Sequence, residues 1–253
     1  MKQVKILVNG DSFCDERYFE PDELLIDGKK WADTLGATNI AYGGGSNERI
    51  FYSTIEYLNN NTVDVLIVGW TCWNRQQTSL ANGLELNICP TGAGDNVNSW
   101  LHDKSYMCHV EYYYKYFHNE YLNFKKFLNY FLHLQDYCVL KKIKFLNFFS
   151  VPHNMPRGLE LYNIAKTGYF KEIIEKDKKK YIQEKDKERL RRNEYIMELK
   201  NLICKIDKKF WINQQIGYSY AVFSQKFPRA KDGEHPGIEA SAEWSKTIKK
   251  NLI

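Results

Sequence analysis

The sequence predicts a three-layer α/β/α domain built around a parallel sheet, on three observations. Three short runs, Val4–Val8, Val63–Gly69 and Ile143–Phe149, are almost continuously apolar, as strands buried on both faces are. Stretches of helical length separate them, and strands that alternate with helices build parallel sheets. Each run leads directly into polar or glycine-containing residues, and in open parallel sheets ligands bind where the strands end.

The elements follow in order. Val4–Val8 is the first strand. Lys29–Leu35 reads as a short helix and Asn39–Ala41 as a short second strand. Ser46–Asn60 is helical, with Ser46 as N-cap, since a serine hydroxyl accepts an orphan N–H of the first turn. Val63–Gly69 is the third strand. Val110–Lys142 is one long aromatic helix or a helix pair, Ile143–Phe149 the fourth strand, and Glu239–Asn251 a closing helix. Two segments interrupt the pattern. Residues 71–107, rich in Asn, Gly and Thr, are expected as an irregular insertion. Residues 171–209 are expected as a charged helical insertion peripheral to the sheet, with Ile196, Leu199, Ile203 and Ile206 on one face. No repeat or low-complexity linker divides the chain, so one domain is expected over 1–253.

Composition narrows the function. The net charge of +5 is too mild for a dedicated nucleic-acid binder. The excess lies in Lys171–Lys209, with 14 basic against 9 acidic residues; a solvated helical face explains it. Six cysteines, none in a C-x-x-C pair, read as free thiols in a reducing compartment. No signal peptide and no membrane-length apolar stretch is seen, so the expectation is cytoplasmic. His102, Cys108, His109 and His118 lack zinc-site spacing, and neither metal nor cofactor is expected.

The chemistry concentrates in two places. Gly10-Asp11-Ser12-Phe13 follows the first strand and puts a serine on a strand-to-helix turn at the sheet rim. Asp232-Gly233-Glu234-His235-Pro236 supplies an acid and a histidine three residues apart. Nucleophile, base and orienting acid are what serine acyl transfer needs. Ser12 is the candidate nucleophile, His235 the general base and Asp232 its orienting acid. Asp11 holds the turn. Arg75 either binds an anionic substrate group or forms a salt bridge, and His153 either lines the pocket or is structural.

These blocks, in this order, resemble the SGNH (GDSL-like) hydrolase superfamily. Gly10-Asp11-Ser12 resembles its first block, Asn39 with Gly44 its second, and Asp232-x-x-His235 its last. The resemblance implies a flavodoxin-like parallel sheet and a serine hydrolase: an esterase, a carbohydrate O-deacylase or an acyltransferase. It implies a small-molecule or glycan ester as substrate and a backbone N–H of Gly44 in the oxyanion hole. The third block departs from the family pattern Gly-x-Asn-Asp, because Gly69-Trp70-Thr71-Cys72 puts Thr71 where asparagine belongs. Thr71, Asn47 and Asn74 are the candidates for the missing donor. That departure also carries the alternative of a non-catalytic protein that binds a small molecule, glycan or protein partner.

Overall fold

The computed structural model describes residues 4–15, 31–79, 85–88, 104–151, 194, 197–215, 218–230 and 235–252. Within them lie strands β1 (Ile6–Asn9), β2 (Thr38–Asn39), β3 (Val65–Trp70), β4 (Gln76–Ser79), β5 (Glu85–Ile88) and β6 (Lys144–Phe149). The helices are α1 (Asn47–Asn60), α2 (Lys104–Tyr116), α3 (Glu120–Lys141), α4 (Tyr220–Ser224) and α5 (Ile238–Leu252). Asp232, His153, the segment 152–193 and parts of 71–107 lie outside the described residues.

The main sheet is parallel, in the order β2-β1-β3-β6. Single parallel bridges from Asn147 to Trp211 and from Phe149 to Ser219 extend it past β6. This is the doubly wound order in which the strand order reverses between β1 and β3, the switch point at which such sheets bind ligands.

Strand alternation sorts the core into two layers. Leu7, Leu66, Val68, Trp70, Phe145 and Phe149 pack with Ile50 and Leu58 of α1 and with Phe124, Phe127, Leu128 and Phe131 of α3. Val8, Ile67, Leu146 and Phe148 pack on the other side with Trp31, Tyr220, Trp244 and Ile248. The domain is therefore three-layered, α/β/α. Buried Asn9 ties the first two layers: its Nδ2 donates to the Ile50 carbonyl (2.9 Å) and to Thr54 Oγ1 (2.8 Å) in α1.

One sequence alternative is decided and two expectations change. The aromatic stretch is a helix pair that breaks at 117–119, where Asn119 caps α3 by accepting from the Leu122 N–H. Residues 71–107 are not wholly irregular: β4 and β5 pair antiparallel, and α2 begins at Lys104. The end of the charged segment is not peripheral. Residues 197–203 are helical, and Leu199 and Ile203 are buried in the core layer that holds Phe210 and Trp211. Their i, i+4 spacing faces one side, and that side is the sheet's, not solvent.

Leu199 is 1% exposed. Leu199→Ala is expected to lower unfolding free energy by about 2–5 kcal/mol, the usual cost of truncating a core leucine. Urea unfolding monitored by circular dichroism checks this; a loss below about 0.5 kcal/mol, the range of surface substitutions, would return the segment to the periphery.

Candidate active site

The site is set by the register of three strands. Asn9 of β1 aligns with Val68 of β3, so the turn that carries Ser12 leaves the sheet beside the end of β3, which Thr71 follows. Trp70 of β3 aligns with Phe149 of β6, which puts Ser150 level with Thr71. Three chain segments thus leave the sheet side by side.

The Ser12 turn is held by backbone bonds on either side of the serine. The Asp11 carbonyl accepts from the Cys14 N–H (2.9 Å) and the Asp15 N–H (3.0 Å). The Asp11 carboxylate accepts from the Phe13 N–H (3.1 Å). Asp11 is fully buried, and its second oxygen lies 3.9 Å from Arg75 Nη1. Neither of these two atoms has a hydrogen-bond partner among the described residues. Of the two sequence alternatives for Arg75 the structure shows the salt bridge: its charge offsets a carboxylate beneath the candidate nucleophile, an otherwise costly buried charge.

The second block is tied to the first. Gly43 N–H donates to Asp15 Oδ2 (2.7 Å), Tyr42 N–H to the Gly10 carbonyl (3.1 Å) and Gly45 N–H to the Tyr42 carbonyl (3.1 Å). Asn39 donates to the Cys14 carbonyl (2.7 Å) and accepts from the Ala41 N–H (3.0 Å). Gly44 sits at φ 70°, a left-handed conformation that glycine adopts at little cost. Among the described residues, the N–H groups of Ser12 and Gly44 have no acceptor, while those of Phe13, Cys14, Asp15, Gly43 and Gly45 do.

His235 is placed beside the turn through its neighbour: the Phe13 ring lies 5.3 Å from the imidazole, centroid to centroid. The His235 carbonyl accepts from the Ala230 N–H (3.0 Å), and Pro236 bridges Arg229 just before α5. Among the described residues no hydrogen bond joins Ser12 to His235; such bonds are often long in the absence of substrate.

The three third-donor candidates separate. Asn47 is spent on Thr71: its Nδ2 donates to the Thr71 carbonyl and its Oδ1 accepts from the Thr71 N–H, both at 2.9 Å. Thr71 is fully buried and its hydroxyl has no partner among the described residues. The Asn74 side-chain oxygen is likewise without one, while its carbonyl accepts from the Tyr114 hydroxyl (2.8 Å). Residue Glu48 adds its charge to burial in raising the Tyr113 and Tyr130 phenols, Tyr130 to about 12, so both stay protonated near neutral pH.

Sequence reasoning did not single out Asp15, and it read Tyr114 only as part of the aromatic cluster Tyr112-Tyr113-Tyr114, as core packing. Asp15 was legible as a short acid just past the Ser12 turn, a residue type that binds nearby backbone. Tyr114 carried no signal, since its reach to Asn74 depends on how α2 packs.

No family model matches the chain, and no curated protein matches it. Solved structures similar to it include a GDSL-like lipase from Bacteroides thetaiotaomicron VPI-5482, at 10% identity over 98% of this chain and 87% of that one, with a TM-score of 0.41. A putative acylhydrolase from Bacteroides fragilis NCTC 9343 is 11% identical over 98% of this chain and 86% of that one, TM-score 0.42. An acetyl xylan esterase is 11% identical over 99% of this chain and all (100%) of that one, TM-score 0.38. Likeness at this level assigns no activity to this chain.

Gly10 is where the turn meets the sheet. A Cβ there would collide with the Cys14 side chain and come within 2.9 Å of the Gly69 carbonyl oxygen. Gly10→Ala is expected to cost about 1–3 kcal/mol as overpacking. Adding Cys14→Ala should recover part of that loss, which thermal melts of the two single variants and the double variant would show.

Proposed function

We propose that the protein is a serine hydrolase acting on carboxylic esters, with an O-acyl group on a carbohydrate as the candidate substrate class. One observation supports this reading above the others. The N–H groups of Ser12 and Gly44, which have no acceptor among the described residues, are the two that a serine hydrolase would turn on an oxyanion.

In this reading the Ser12 hydroxyl attacks the acyl carbon. His235 takes the hydroxyl proton and returns it to the leaving alcohol. Asp232 holds the imidazole in the tautomer that accepts from serine. Water then attacks the acyl-enzyme by the same route in reverse. The Asp11–Arg75 pair fixes the turn.

A fluorophosphonate probe tests the nucleophile. Covalent labelling is expected at Ser12, located by peptide mass spectrometry, and absent from Ser12→Ala. On a panel of short-chain aryl esters and acetylated sugars, Ser12→Ala is expected to remove nearly all turnover, by more than about 10⁴-fold, and His235→Ala on top of it to cost little more. Ester turnover undiminished in Ser12→Ala would overturn the assignment. Glycan binding without labelling or turnover would favour a non-catalytic binding protein.

A further inference from the structure

Thr71 presents an accounting problem at the centre of the site. Its side chain is fully buried and its hydroxyl has no hydrogen-bond partner among the described residues. Burying a hydroxyl without a partner is costly, and such groups in folded proteins call for a reason. Thr71 cannot relieve the cost by moving, because its peptide is clamped. Asn47, 4% exposed and the first residue of α1, bonds both the N–H and the carbonyl of Thr71 at 2.9 Å each. A carboxamide used this way stands in for a strand partner, continuing the sheet's pairing one residue past the end of β3.

We infer that Asn47 is a positioning residue of the oxyanion hole, acting through Thr71, whose hydroxyl is the third donor to the tetrahedral intermediate; this rests on the reading of Ser12 as nucleophile. Three constraints lead there. Thr71 follows β3, the strand paired with β1, whose exit carries the Ser12 turn. Its backbone N–H is consumed by Asn47, so only the hydroxyl remains to donate. That hydroxyl lies out of water, where a fixed donor is worth more to a developing negative charge than a wet one. The amide that the family pattern places directly on the oxyanion is here one step removed: it holds the residue that donates. A threonine hydroxyl rotates about a single bond and has a shorter reach than an asparagine amide, so a clamp on its backbone is what makes it a defined donor.

The test compares Thr71→Val, Thr71→Ser, Asn47→Ala and the Asn47→Ala/Thr71→Val pair on an aryl ester that wild type turns over. Thr71→Val keeps the shape and removes the donor, and is expected to lower kcat by about 10²–10³-fold with KM little changed. Thr71→Ser, which keeps the hydroxyl, should retain most of the rate. Asn47→Ala should lower kcat with KM again little changed, and the pair should be no slower than the slower single variant, because both act at one donor. If Asn47→Ala does not purify folded, Asn47→Asp, which keeps the acceptor arm and loses the donor arm, replaces it. Wild-type kcat in Thr71→Val, or multiplying losses in the pair, overturns the inference. Fluorophosphonate labelling of Ser12 in the same samples separates the two readings: labelling with an unaffected Thr71→Val removes only the role of Thr71 and Asn47, whereas no labelling and no turnover in wild type remove both.

Discussion

The closeness of backbone to backbone at the ends of β1 and β3 is the constraint on which the rest of the site depends. A Cβ on Gly69 would lie 2.8 Å from Ser150 Oγ and 2.9 Å from the Phe148 ring, and one on Gly10 would meet the Gly69 carbonyl. Both positions therefore carry only a hydrogen, and Cys14 packs into the space left free. That lets the Ser12 turn fold back over the end of β3 rather than continue along the strand direction.

Asparagine supplies the connections between layers. Asn9 reaches from β1 into α1, Asn39 from β2 to the Cys14 carbonyl, Asn47 from α1 to Thr71, and Asn147 accepts from the Trp70 indole while donating to the Phe210 carbonyl. Each carries a donor and an acceptor on one short side chain, which matches the peptide group it satisfies. Buried polar networks of this kind specify an arrangement as well as stabilise it when every member is satisfied. Among the described residues, buried polar atoms without a hydrogen-bond partner include Thr71, Asn74 and the open edge of the Asp11–Arg75 pair at the exits of β1 and β3, and the indole nitrogens of Trp211 and Trp244 away from them.

The sheet was legible because its strands are buried on both faces: Leu66-Ile67-Val68 and Phe145-Leu146 read as strand with no alternation to find. The N-cap role of Ser46 was legible for an equally local reason, and its hydroxyl accepts from the Arg49 N–H. The β4–β5 hairpin was not, because Gln76–Ser79 and Glu85–Ile88 lack a run of apolar residues. The burial of Leu199 was hidden by the charges around it; the few apolar residues on a charged helix settle its address only once the sheet they meet is known. In the site, residue types pointed to Ser12, Gly44 and His235 as candidates. The division of labour between Asn47 and Thr71 depends on which amide the backbone consumes, and no spacing in the chain encodes that.

Among the described residues the indoles are divided by the sheet: Trp70, Trp73 and Trp211 lie in the α1/α3 layer, and Trp31 and Trp244 in the α5 layer. The domain thus carries intrinsic optical reporters on both sides of its central plane, each set stacked on its own aromatic neighbours, Phe131 against Trp211 and Tyr220 against Trp244. Fluorescence read with one set and Trp100 removed would follow the melting of a single layer, so the molecule can report whether its two halves come apart together or in turn.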